Sequence, residues 1–183
     1  MDMSQGAFLQ RLLKNGNGNV SSKRVYAMVN GDTLQLYKNN KNDSELISEF
    51  DLTQTGFAKG AGSLGVFCGK LAILDRTGAF FSFDQGRLQK LFQIDNNFTE
   101  FSFRFKSDAS DMLRTHNFTS NKNNLFVSYT KYDEKEGFSH LVSRYSHNCQ
   151  SGKVSLGEEI LLKRQLTENQ ALNTQAAGGA LLL

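Results

Sequence analysis

A chain of 183 residues with 39% hydrophobic side chains, 15 Phe and 5 Tyr can bury one sizeable core or several units of a repeat. That composition argues against disorder. Its 21 basic and 18 acidic residues leave a net charge of +3 and are interspersed, so no basic stripe tracks a phosphate backbone and nucleic-acid binding is argued against. Neither Pro nor Trp occurs, which leaves Gly, Asn and Asp to shape every turn.

Residues 1–19 stand apart as an N-terminal segment. Gln5 to Leu13 predict a short amphipathic helix, closed by the Asn/Gly run Asn15–Asn19, whose residues tolerate positive φ and end helices. The apolar stretch Ala7 to Leu13 is interrupted by Gln10 and Arg11, too short and too polar for a signal core or a membrane span. The chain is expected to be soluble. Its compartment is left open, since an exported parent could have lost its leader.

From residue 20 to 183 the pattern is a single β-meander domain. Arg24–Val29 and Thr33–Tyr37 flank Asn30-Gly31-Asp32, a strong hairpin signal because Asn and Gly accept φ > 0. Glu45–Leu52 follows as a third strand. A second unit opens at the Gly60–Gly65 cluster and continues through Val66–Cys68, a Gly69-Lys70 turn and Leu71–Asp75. Arg76-Thr77-Gly78 then turns the chain into Ala79–Phe83, and Asp84-Gln85-Gly86 into Arg87–Phe92. Between units, Phe98, Phe101, Phe103 and Phe105 give Phe-x-x-Phe-x-Phe-x-Phe, the last three alternating as in a half-buried strand. A third unit runs from Met112 to Leu162, with strands at Leu125–Thr130, His140–Tyr145 and Glu159–Leu162 and a charged hairpin loop at Asp133–Gly137. Short strands separated by Gly-bearing turns every 8–12 residues are the signature of an antiparallel all-β sandwich, barrel or propeller. The ending Gly178–Leu183 reads as a strand cut at its start, so the chain is expected to be part of a longer one.

Three of these segments carry a resemblance. Gly69–Gly78, with its acidic-Arg-x-Gly turn, Asn124–Thr130 with its returning partner Val142–Tyr145, and Gly178–Leu181 resemble the opening blades of the β-propeller family of quinone-dependent glucose/sorbosone dehydrogenases. The resemblance spans roughly residues 60–183 and implies two to three blades of a propeller. It implies a family whose cofactors are pyrroloquinoline quinone (PQQ) and calcium, with a catalytic His just before the Gly-Arg-Leu strand. Here that stretch is Thr174-Gln175-Ala176-Ala177 and the Arg is Ala180, so no base stands at that position. The reading that follows is a propeller-type binding or scaffold module, not catalytic as it stands, with no evident cofactor and a sugar or other small molecule as ligand. A PQQ- and calcium-dependent sugar oxidoreductase, with its catalytic residues in a missing C-terminal part, is the alternative. A further alternative is a pleckstrin-homology-like domain, because Lys23–Leu52 is similar to the opening strands of that family; its first loop, Asn30-Gly31-Asp32, is acidic where that family is basic.

Candidate site residues are few. Asp108, Asp111 and His116 form a polar group that could face a ligand pocket at a blade top, against the plainer reading of His116 as an exposed loop residue. His140 and His147 read as surface or satisfied side chains. Cys68 and Cys149 belong to no CxxC or local Cys/His cluster, so a structural zinc site is not supported; a disulfide or two buried free thiols both remain open, the thiols being the commoner outcome. No nucleophile elbow, Rossmann or P-loop fingerprint occurs. An incomplete propeller would expose Phe80, Phe126, Val127 and the terminal leucines, so marginal stability or self-association is expected.

Overall fold

The computed structural model describes residues 11–12, 24–40, 43–58, 63–84, 87–97, 113–151 and 153–172. These form three antiparallel sheets of four strands each, in which successive strands are neighbours. Sheet A holds β1 (Arg11–Leu12), β2 (Arg24–Asn30), β3 (Thr33–Asn40) and β4 (Asp43–Asp51). Sheet B holds β5 (Ser63–Phe67), β6 (Lys70–Leu74), β7 (Ala79–Asp84) and β8 (Arg87–Gln93). Sheet C holds β9 (Thr115–Ser120), β10 (Asn124–Asp133), β11 (Gly137–Asn148) and β12 (Lys153–Leu166). A five-residue helix, α1 (Glu168–Leu172), follows. The chain is all-β with antiparallel hairpin meanders, as its turn spacing predicts.

Sheet B is the middle layer. One of its faces gives Leu64, Ile73, Ala79 and Phe81 to a core shared with Ala27, Leu34, Leu36 and Phe50 of sheet A. The other gives Phe67, Ala72, Leu74, Phe80 and Phe92 to a core shared with Phe118, Leu125, Val127, Tyr129 and Tyr145 of sheet C. Adjacent residues Phe80 and Phe81 are therefore both fully buried, on opposite faces. This double burial explains why Leu71–Leu74 and Ala79–Phe81 read as continuous apolar runs instead of alternating. Phe80 meets Phe118 of sheet C edge-to-face at 4.8 Å, and Phe83 meets Phe50 of sheet A edge-to-face at 4.7 Å, so aromatic pairs join all three layers.

Glycines close the hairpins where the backbone must turn left-handed. At the β6–β7 turn, Asp75 N–H donates to Ala79 O at 2.9 Å around Arg76-Thr77-Gly78, and Gly78 has φ +98°. Three-residue hairpin loops commonly place glycine there. Asp75 itself is fully buried and anchors the turn. Its Oδ1 accepts from Thr77 N, Thr77 Oγ1 and Ala79 N, and its Oδ2 from Ala58 N on the connection from sheet A, all at 2.9 Å. Thr115 of β9 donates its hydroxyl to Asp75 O and its N–H to Arg76 O at 3.1 Å. One turn thus joins sheets B and C and the connection that arrives from sheet A. Burial raises the Asp75 carboxyl pKa, against the pull of its four hydrogen bonds.

Several expectations need correction. Arg11–Leu12, inside the stretch predicted as helix, are extended and pair with Val25 and Arg24; the rest of that stretch lies outside the described residues. Pairing there covers an edge of β2 that would otherwise present open backbone groups. The first hairpin turns at Gly31-Asp32, because Asn30 still pairs with Thr33. Cys68 lies in a turn and not in the strand before it, since Phe67 pairs with Lys70. β12 runs well beyond the predicted Glu159–Leu162 in both directions. The phenylalanines from Phe98 to Phe105, with the alternating Phe101, Phe103 and Phe105, and the terminal Gly178–Leu183 strand lie outside the described residues.

Candidate functional site

His116, the sequence-predicted site histidine that the structure describes, is not in a loop. It lies in β9 beside the register shift between β9 and β10, half-buried, with its ring stacked on His140 at 5.0 Å and 11°. Its Nε2 is hydrogen-bonded to Thr130 Oγ1 at 3.1 Å, and His140 Nε2 to Ser128 Oγ at 2.8 Å. Burial, then the neighbouring His140 and Arg114, hold the His116 pKa down at about 4. Burial and Arg164 also lower that of His140. Both rings are neutral at pH 7 and act there as hydrogen-bond partners, not as acids. Asp108 and Asp111 lie outside the described residues.

A second group was not found by sequence reasoning. Cys68 and Cys149 form a disulfide across 81 residues, so the expectation of two buried free thiols is corrected. The bond joins the β5–β6 turn of sheet B to the β11–β12 turn of sheet C. The cysteines are distant in sequence because the two hairpin tips meet only when the sheets stack. Beside them lies His147, whose Nδ1 is 3.6 Å from Cys68 Sγ and 3.5 Å from Cys149 Sγ. Here is the Cys/His group that no local motif announced. The available signal was that His147 and Cys149 are two apart and that both cysteines sit beside turn-forming Gly or Asn.

Asparagine turns hold this group in place. Asn121 Oδ1 accepts from the N–H groups of Asn123 and Asn124 at 3.1 and 2.9 Å, fixing the β9–β10 turn. That turn offers Asn121 O to His147 Nε2 at 3.0 Å and Asn123 O to His147 N–H at 2.9 Å. Asn148 Oδ1 accepts from Gln150 N and Ser151 N at 2.9 and 3.2 Å, shaping the turn that carries Cys149. The His147 ring is buried against Phe67 at 4.6 Å, whereas Cys149 is exposed. Cys68 has φ +51° and Gly69 φ +74°, a two-residue turn that favours Asn or Gly at both positions.

The three turns border a cleft of about 600 Å³, within the range of small-molecule sites. Its wall includes Ser120, Asn121, Lys122, Asn123, Asn148 and Gln150, a set rich in amide donors and acceptors. Elsewhere in sheet C, Tyr129 and Tyr145 both donate to Glu158 Oε1, and burial raises both phenol pKa values, so neither ionises near neutrality. Among the described residues no helix is long and apolar enough to cross a membrane.

The fold and this rim define the class: an all-β chain of three stacked antiparallel meanders with a disulfide-bordered cleft. No protein-family model, curated protein or solved structure matches the chain.

Proposed function

We propose that the chain is a propeller-type binding or scaffold module, akin to the quinone-dependent sugar dehydrogenases it resembles but without turnover of its own. The observation that carries this reading is the face-to-face stacking of three consecutive four-stranded meanders, with sheet B between the other two. The first strands of sheets B and C run alongside each other. Ser63 Oγ donates to Asn117 Oδ1, and Ser120 Oγ to Val66 O, both at 2.8 Å. Blades that converge through their first strands and pack through their faces are the arrangement of a propeller.

The Asp75-Arg76-Thr77-Gly78 turn, one of the segments carrying the resemblance, has a structural part in this reading, tying consecutive blades at one rim. At the opposite rim the amide-lined cleft is suited to a small polyhydroxylated ligand, whose hydroxyls need both donors and acceptors. Dye-linked sugar oxidation, with PQQ and calcium supplied, tests the absence of turnover. Calorimetric titration with neutral monosaccharides tests the ligand class. Binding heat without dye reduction is the expected result; dye reduction by this chain overturns the reading in favour of the oxidoreductase.

A further inference from the structure

We propose that Cys68, His147 and Cys149, in their dithiol state, bind one thiophilic divalent cation of the zinc type, and that forming the Cys68–Cys149 disulfide expels it. This site borders the same cleft but does not rest on the small-ligand reading of it.

The imidazole is already set as a ligand. Asn121 O can only accept, so His147 Nε2 carries the proton of the neutral ring and the Nδ1 lone pair faces the two sulfurs. A backbone carbonyl holding the remote ring N–H is the usual support of a metal-bound histidine. The distances from Nδ1 to the sulfurs, 3.6 and 3.5 Å, are those a tetrahedral ion needs. With zinc about 2.0–2.1 Å from nitrogen and about 2.3 Å from sulfur, the N···S span is about 3.6 Å. In the disulfide neither sulfur carries a proton, so the lone pair of a buried ring has no donor from either.

Opening the bond suits the same geometry. Two sulfurs freed from a disulfide settle at about 3.7 Å in van der Waals contact, close to the S···S span of about 3.8 Å in a tetrahedral zinc site. The framework does not depend on the bond, because Ser120 Oγ to Val66 O, Ser63 Oγ to Asn117 Oδ1 and the shared Phe67–Phe118 core hold the two sheets together. Two thiolates cancel the charge of the ion, so Lys122 on the rim faces no added positive charge. The cleft leaves room for a fourth ligand on the exposed side of Cys149. Placing Cys68 at φ +51°, where Asn or Gly is ordinary, is the kind of backbone strain that accompanies functional positions.

The chemistry balances. A thiol reductant, two R–SH, converts the disulfide to two thiols and gives R–S–S–R. Binding the dication then releases the two thiol protons. In reverse, a small-molecule disulfide takes two electrons from the bound dithiolate. With two protons from water, it leaves two R–SH, the protein disulfide and the free ion.

The test uses the whole chain and Co²⁺ alone as the probe. The reduced chain is expected to take up one equivalent, with thiolate-to-cobalt charge-transfer absorption that Zn²⁺ bleaches. The oxidised chain is expected to show none. His147→Ala in the reduced state should weaken uptake at least about tenfold. A Cys68→Ser/Cys149→Ser double variant should lose the absorption, while its circular dichroism reports whether the sheets persist. A reduced chain without that absorption, folded or not, overturns the proposal. So does equal cobalt uptake by the double-serine variant or by the oxidised chain.

Discussion

Acidification should weaken the fold through one histidine. The His116 pKa lies at about 4 in the folded chain, against 6.5 for a solvated ring, because burial and the nearby His140 and Arg114 disfavour its charge. Below pH 6.5 the unfolded chain takes up a proton that the folded chain refuses until about pH 4. Stability is therefore full above 6.5, falls across the interval and levels off beneath it. At about 1.4 kcal/mol per pH unit, the His116 contribution lost is about 3 kcal/mol, a large share of what holds a domain folded. Urea unfolding of the native chain and of His116→Gln at pH 7, 5.5 and 4 measures it. Glutamine stays neutral and can still bond Thr130 Oγ1, and His140 remains in both proteins, so its share largely cancels. The native chain should lose about 3 kcal/mol more than the variant between pH 7 and 4. Parallel pH profiles would refute the argument.

Gly78→Ala should destabilise more than Gly31→Ala. Both need positive φ, at about 1–2 kcal/mol for an L side chain, but a Cβ at Gly78 would also stand 3.2 Å from Ile94 Cβ, whereas one at Gly31 meets nothing within 4 Å. Thermal melts of the two variants check the order. Asp75→Ala orphans four donors around a buried turn and should cost about 3–5 kcal/mol, while Asp75→Asn, which keeps an acceptor for the Thr77 and Ala79 groups, should cost less in the same denaturant titration. Among the described residues β12 is an edge strand, and it exposes Ile160, Leu161 and Leu162 by about half. Light scattering should find self-association that Ile160→Lys with Leu162→Lys reduces; a monodisperse unmodified chain would contradict this.

Sheet B was the most legible part of the fold. Its strands are short apolar runs between Gly-bearing turns, and its hairpins are local contacts that turn chemistry determines. His116 was harder to place, because Arg114–Ser120 is polar and its strand character comes from burial of Thr115, Phe118 and Thr119 against neighbouring strands. Adjacent burial of Phe118 and Thr119 also blurs the period-two signal. The Cys68–Cys149–His147 group could not be assembled from spacing, since it depends on two hairpin tips brought together by sheet packing. Of the turns that carry it, the one at Gly69 was legible, read as Gly69-Lys70 where the chain turns at Cys68-Gly69. Without proline, Gly69, Asn121 and Asn148 were the residues available to make them.

The stacking of three sheets through the middle one underlies both the blade reading and the cysteine–histidine rim. Nuclear Overhauser contacts between aromatic rings test it most directly. Phe80 of sheet B should show contacts to Phe118 of sheet C, and Phe83 of sheet B to Phe50 of sheet A, in the same folded sample, at ring separations of 4.8 and 4.7 Å. A folded chain giving one set without the other, or neither, would mean that sheet B is not the middle layer.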